Sequence, residues 1–230
     1  MFFYNFVMIE INSYSPISFV LDKEDNKGIN NFDWFVGVLS SGEWEPATFE
    51  SFKKHSNKDK IALDFGGWIG VTSIWLSHFF KNVFSFEPDG VAIPAFKNNI
   101  KRNSCDNVEL LPFALYNELT NIGFENNMNV LGGSESQIKH FSDVRVETVT
   151  LDSLSKTIPF HEVGFVKVDI EGSEQYIIED LFRYALKYKW TVYLEIHPQF
   201  MPQESHNRIL ELCGEYPNRM DLDRGVVLWF

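Results

Sequence analysis

The chain has 230 residues, the size of one domain with extensions at about 100–200 residues per domain. Hydrophobic residues make up 44% of it, with 22 Phe, 8 Tyr and 6 Trp, which suffices for a packed core and excludes a disordered chain. Lys+Arg number 20 and Asp+Glu 32, and the net charge of −12 repels phosphates and speaks against nucleic acid as the main partner.

The start, MFFYNFVMIEI, has no basic leader and no small-residue cleavage site, so a signal peptide is not expected. Alternation around Phe6, Met8 and Glu10 predicts a strand over residues 2–11. Turn residues at 12–16 separate it from a second predicted strand at 17–22. A polar loop, DKEDNKG, follows at 22–28. A helix is predicted over 45–55, opening at Glu45-Pro46 with proline at its first position. Residues 1–57 thus read as an N-terminal extension packed on a core of residues 58–230. No run reaches about 18 apolar residues, so no transmembrane helix is expected. Cys105 and Cys213 stand far apart, which excludes a disulfide framework or a CxxC zinc site and predicts two reduced thiols in a cytoplasmic protein.

From Ile61 short apolar runs alternate with amphipathic segments. Strands are predicted at 61–65, 82–88, 108–115, 165–170 and 191–198. Helices are predicted at 70–80, 89–103, 173–187 and 203–214, and a terminal hairpin joins MDLD to VVLWF through Arg224-Gly225. Such alternation implies a doubly wound α/β sheet with helices on both faces. Residues 116–160 break the rhythm. IGFEN, VRVETVTL and LDSL read as extra strands around Gly132-Gly133, a β-rich insertion before the fourth core strand.

Asp64-Phe65-Gly66-Gly67-Trp68-Ile69-Gly70 closes the first core strand and opens a helix. Gly66 and Gly70 permit a tight turn and close approach of a ligand, and the helix N-terminus behind them offers free N–H groups to a carboxylate. Asp64 stands where it would receive a ligand's ammonium, directly or through water. The glycine spacing is not that of G-x-G-x-x-G, and no P-loop Gly-Lys-Ser/Thr follows. The plain alternative is a tight strand–helix turn without a ligand. Glu87-Pro88-Asp89 ends the second strand, where an acidic residue in nucleoside-binding folds accepts both ribose hydroxyls. A carboxylate suits that role because it offers two acceptor oxygens. Phe113-Ala114-Leu115 ends the third strand, where an adenine ring has apolar atoms to lie against; buried packing is the competing use.

These segments together resemble the FkbM family of S-adenosylmethionine-dependent O-methyltransferases. The resemblance runs from about Trp44-Glu45-Pro46 to His197 and rests on LDFGGWIG, FSFEPD, NVELLPFAL, VETVTLDSL, FVKVDIEGSE and YLEIHP, in that order. It implies a class I methyltransferase, Rossmann-like fold and methyl transfer to a hydroxyl, often on a sugar or glycoside. The family usually has Ala-Asn where this chain has Gly67-Trp68. By resemblance, Glu45 joins the cofactor contacts. Glu45, Asp64, Gly66, Gly70, Glu87, Pro88, Asp89, Ala114 and Asp169 are the expected S-adenosylmethionine contacts.

Asp169, Glu171 and Glu174 follow the fourth strand, and Glu195 and His197 end the fifth. Ligands of open α/β sheets bind at these carboxyl ends. Asp169, Glu195 and His197 are therefore the candidate catalytic residues. His197 is the first choice of base, because imidazole titrates near neutral pH, with Asp169 orienting the acceptor hydroxyl. The rival is a divalent cation, Mg or Mn, held by Asp169, Glu195 and His197, which would bind sugar oxygens and lower the hydroxyl pKa. A strand cap before Pro198 is the plain alternative. Lys167, inside an apolar run, reads as a buried ion-pair partner. Trp34, Trp44 and Trp68 have faces suited to sugars, although most aromatics here fill the core. Histidines 55, 78, 140, 161 and 206 read as surface residues. From another class, a non-catalytic nucleoside-binding module of a larger glycan-assembly protein shares the glycine turn and Glu87 but does not require Asp169 and His197. A nicotinamide dehydrogenase is disfavoured by the glycine spacing.

Overall fold

The computed structural model describes residues 8–14, 16–125 and 131–230. Strands β1 (Met8–Tyr14) and β2 (Ile17–Asp22) pair antiparallel, and helices α1 (Phe32–Ser41) and α2 (Pro46–Lys54) follow. The core then runs β3 (Asn57–Phe65), α3 (Val71–Ser77), β4 (Phe80–Phe86), α4 (Ala92–Arg102) and β5 (Val108–Leu111). An insertion holds β6 (Ala114–Leu115), β7 (Asn121–Glu125), β8 (Gln137–Ile138), β9 (Arg145–Val149) and α5 (Leu151–Leu154). The core resumes with β10 (Val163–Val168), α6 (Glu174–Tyr188), β11 (Thr191–Glu195), α7 (Gln203–Cys213), β12 (Asn218–Asp221) and β13 (Gly225–Trp229).

The seven-stranded central sheet has the order β12-β13-β11-β10-β3-β4-β5. Its five strands from β11 to β5 are parallel, and β13 and β12 add an antiparallel hairpin at one edge. Side chains alternate across the sheet with period two. Ile61, Leu63, Phe65, Val166 and Val168 join one core cluster with α5, α6 and α7, whereas Ala62 and Phe165 join the other with α1, α2 and α3. The β1–β2 hairpin packs into that second cluster through Ile11, Tyr14, Phe19 and Leu21. Burying each such side chain contributes about 1.5–3 kcal/mol.

The predicted core strands and helices are present with ends shifted by a few residues, and four expectations change. The strand expected over 108–115 breaks at Pro112, which cannot donate to a ladder. Its last residues form β6, which leaves the central sheet for a smaller one ordered β6-β9-β7-β8. LDSL is helix rather than strand. Thr150 caps it, accepting from the Ser153 N–H at 3.1 Å while the Ser153 hydroxyl accepts from the Thr150 N–H at 3.2 Å. Helix α1 was not expected, because Gly37 and the β-branched Val36 and Val38 hide its periodicity; tertiary burial of Phe32, Phe35, Val36 and Leu39 forms it. The strand expected over 2–11 is described only from Met8, and residues 2–7, Ser15 and Asn126 lie outside the described residues. Both cysteines are free and buried. No helix among the described residues is long and apolar enough to cross a membrane.

Candidate active site

The strand order reverses direction between β3 and β10, and an open α/β sheet places its ligand crevice at such a point. Here the carboxyl ends of β3 and β10 are pressed together. The Asp169 N–H donates to the Phe65 carbonyl at 3.1 Å. A Cβ at Gly66 would stand 1.8 Å from the Asp169 carbonyl oxygen, and Gly66 has φ +88°, so only glycine fits. A Cβ at Gly67 would meet the Ser85 hydroxyl at 2.2 Å. Beyond this crossing opens a cavity of about 720 Å³, within the range of small-molecule sites.

One wall carries Glu87. Its Oε2 accepts the Trp68 N–H and its Oε1 the Asp89 N–H, both at 2.8 Å. A carboxylate has about four lone-pair positions, so each oxygen keeps one for a ligand hydroxyl. Burial pushes the Glu87 carboxyl up to about 7. Pro88, Phe113, Ala114 and Leu115 continue this wall.

The opposite wall carries Asp169, Glu171 and His197. His197 is buried. Its Nδ1 lies 3.0 Å from Glu174 Oε1, and its Nε2 lies 3.5 Å from Glu171, 3.6 Å from Glu195 and 3.7 Å from Asp169. Burial pulls the imidazole down, but the hydrogen bond to Glu174 and the Glu195 carboxylate outweigh it and push it up to about 11. These carboxylates favour the protonated ring, which weighs against the proton-accepting role expected of His197. Burial and then the Asp169 charge raise Glu171 to about 8. Burial, followed by the Asp169 and Glu195 charges, raises Glu45 to about 7.

Lys167 is the ion-pair partner that the sequence suggested. Its Nζ donates to the Gly66 carbonyl at 2.8 Å and lies 3.4 Å from Asp64 and 3.3 Å from Asp169. Burial lowers the ammonium pKa, but the Asp169 and Asp64 carboxylates more than compensate and raise it. Arg224, from the terminal hairpin, donates to Glu195 at 2.9 Å and to Glu45 at 3.1 Å.

Of the expected cofactor contacts, Glu45, Gly66, Glu87, Pro88, Ala114 and Asp169 line the cavity. Asp64, Gly70 and Asp89 do not. Asp64 is fully buried and accepts the Thr72 and Ser73 hydroxyls at 2.8 and 2.5 Å, so it locks α3 onto β3 instead of meeting an ammonium directly. Gly70 has φ +90° beside the Phe96 ring, a conformation that serves the turn into α3. Asp89 accepts N–H groups from Val91 and Ala92 at the start of α4 and from Gly132 in the insertion, so it ties loops together. Glu195 lies behind the wall, 4% exposed.

The sequence did not reveal that α1 and the insertion share the cavity rim. Asn30, Asn31, Trp34 and Phe35 come from one side and residues 133–136 from the other. The two are stitched by the Asn30 N–H to the Gly132 carbonyl at 3.1 Å. Trp34, Trp44 and Trp68 all line the cavity, and Trp34 is 67% exposed. Histidines 78, 140 and 161 are exposed as expected, whereas His55 and His206 are half-buried. One local signal could not be read from residue types. Asn31, Glu45, Trp68 and Glu171 hold left-handed backbone with φ of 57°, 49°, 43° and 52°, and all four line the cavity. Such strain costs non-glycine residues on the order of 1 kcal/mol or more each and clusters at functional sites.

The model of the methyltransferase FkbM domain family matches residues 75–220. The chain belongs to the FkbM methyltransferase family. The matched span starts at Trp75 in α3, later than the Trp44 expected from the motifs, and reaches β12. Among solved structures, the chain is similar to a methyltransferase FkbM from Methylobacillus flagellatus KT, with 14% identity and a TM-score of 0.53 over 90% of this chain. The chain spans 57% of that protein's length. A putative methyltransferase from Streptococcus mutans, solved in complex with SAH, shares 10% identity over 80% of this chain and 97% of its own, with a TM-score of 0.49. No curated protein sequence matches the chain. The fold of this FkbM chain is thus that of class I methyltransferases, a parallel central sheet flanked by helices.

Proposed function

We propose that the protein transfers a methyl group from S-adenosylmethionine to a hydroxyl of a sugar or glycoside. The observation that carries this reading is the Glu87 carboxylate, held by two backbone N–H groups on the wall of a cavity whose other wall is acidic. The residues present fit the cofactor. Glu87 grips the ribose hydroxyls, Phe113, Ala114 and Leu115 offer apolar atoms to the adenine, and the Gly66–Gly67 turn admits the methionine end without a Cβ in the way. The Asp169 carboxylate, joined by Glu45 and Glu171 in their ionised forms, favours a cationic donor. When bound, the cofactor supplies an electrophilic methyl on a positively charged sulfur.

The chain's own residues align and deprotonate the acceptor. Holding a hydroxyl in line with the methyl is worth up to about 7–11 kcal/mol. Asp169 orients that hydroxyl from the cavity wall. Glu171, raised to about 8, is matched to take its proton near neutral pH. Trp34, Trp44 and Trp68 present ring faces at the cavity, which supports a sugar-bearing acceptor alongside the family resemblance. The division at residue 57 belongs to the same reading, with the extension supplying Trp34 to the acceptor side and Glu45 to the cofactor. A nucleoside-binding module without chemistry has no use for Asp169 and Glu171 on the wall. Calorimetry with S-adenosylhomocysteine, followed by methylation of a glycoside panel, tests this. Binding of NAD in place of S-adenosylhomocysteine would reverse it.

A further inference from the structure

We infer that Asp169, Glu195 and His197 form a divalent-cation site whose open side faces the acceptor. This deepens the methyl-transfer reading and rests on it for the identity of the acceptor, while the binding of the cation stands on geometry alone.

Three donor atoms, one from each residue, lie within 4.8 Å of one another. His197 Nε2 is 3.7 Å from Asp169 Oδ1 and 3.6 Å from Glu195 Oε1. Adjacent donors bound to one cation at about 2.1 Å stand roughly 3.0–3.4 Å apart, so the two histidine–carboxylate separations need shorten by only a few tenths of an ångström, and the two carboxylate oxygens, within 4.8 Å of each other, close by side-chain adjustment. The second observation is independent of the acidic cluster. His197 is 5% exposed, and its Nε2 is a buried nitrogen with no hydrogen-bond partner, aimed at those oxygens. A buried polar atom left so costs about 1–3 kcal/mol, which a ligand would recover.

The other ring nitrogen explains the orientation. Glu174 is fully buried, accepts the Ile170 N–H at 3.1 Å and holds His197 Nδ1 at 3.0 Å. A cation displaces the Nε2 proton while the Nδ1 proton stays directed at Glu174, and the freed Nε2 lone pair then points into the cluster, the carboxylate–histidine arrangement that supports metal ligands. Lys167 faces Asp169 through Oδ2, at 3.3 Å, and leaves Oδ1 to the site. Arg224 occupies one lone pair of Glu195 Oε1. Lys167 and Arg224 sit among Glu45, Asp64, Asp169 and Glu195, while Glu171 and Glu174 adjoin His197, so acidic groups outnumber basic ones where a small cation would bind. One imidazole with two carboxylates suits Mn²⁺ better than Ca²⁺, which prefers oxygen alone.

Asp169 and His197 line the cavity, so the remaining coordination positions open toward it. An acceptor with two adjacent hydroxyls, as on a sugar ring, fits that opening. The cation would make one hydroxyl more acidic. The O–H proton passes to Glu171, the new O–CH3 bond forms as the CH3–S bond breaks, and the sulfur leaves as a neutral thioether.

The test titrates the purified full chain with MnCl2 alone, following free Mn²⁺ by electron paramagnetic resonance, and measures S-adenosylhomocysteine binding separately. The expected result is one Mn²⁺ per chain, with affinity reduced roughly 10–100-fold in Glu174→Gln and at least as much in Asp169→Asn and His197→Ala. If His197→Ala does not fold, the partly exposed Asp169→Asn decides. A wild-type chain that binds no Mn²⁺, or variants that bind it as wild type does, would overturn the site. Mn²⁺ binding without S-adenosylhomocysteine binding would uphold the cation site and overturn the methyl-transfer reading.

Discussion

Replacing Glu87 with glutamine keeps the side chain's size and removes one acceptor oxygen and the charge. In the wild type, two of the carboxylate's lone pairs are taken by the Trp68 and Asp89 N–H groups at 2.8 Å, and two remain for the ribose. In Glu87→Gln the amide must satisfy the same two N–H groups with a single oxygen, so its NH2 opposes one of them. One ribose hydroxyl loses its acceptor and the other meets a neutral one. A hydrogen bond to a charged group contributes about 1.5–3 kcal/mol, so the loss is roughly 10–100-fold in Kd. Glu87→Ala forfeits both ribose bonds and orphans two backbone N–H groups, so it weakens binding further and lowers the melting temperature as well. Calorimetry with S-adenosylhomocysteine, alongside thermal melting, separates the two effects. A Glu87→Gln protein that melts like wild type and binds with unchanged affinity would refute the ribose assignment.

Other expectations can be checked with the same protein. Because burial raises the Glu87 carboxyl to about 7, and the ribose hydroxyls favour its ionised form, cofactor affinity should weaken as the pH falls through about 7; affinity flat from pH 8 to 6 would contradict this. Gly66→Ala places a Cβ 1.8 Å from the Asp169 carbonyl at φ +88°, and should yield little folded protein or a large fall in melting temperature. Lys167→Met leaves Asp64 buried without its cation and should destabilise the fold by about 3–5 kcal/mol in a denaturant titration. Glu171→Gln should spare S-adenosylhomocysteine binding and sharply lower turnover on an accepted glycoside, a result that equal turnover would exclude.

The parallel core was legible because its strands are short apolar runs bounded by helical periodicity, and Gly66 and Glu87 because their chemistry is local. Asp64 and Asp89 lie off the cavity lining for a shared reason. An acid near a strand end reads the same whether it faces a ligand or a hydroxyl and N–H cluster, and only the fold shows that Thr72 and Ser73 claim Asp64 and that Gly132 claims Asp89. His197 was placed at the right edge, but its protonation is set by Glu171, Glu174 and Glu195, brought together from three elements' ends. The rim contributed by α1 and the insertion was hidden because both owe their shape to tertiary contacts rather than to periodicity. Proline supplies a reverse lesson at residue 112. Its break in the strand was available from the sequence, and it sends Ala114 and Leu115 to a second sheet beside the cavity.

A crystal structure of the protein with S-adenosylhomocysteine addresses the central claim most directly. Both ribose hydroxyls should lie within about 3.2 Å of the Glu87 carboxylate, with the sulfur directed at the wall of Asp169 and Glu171. A nucleoside lodged elsewhere, or a Glu87 carboxylate with no contact to the ribose, would contradict it.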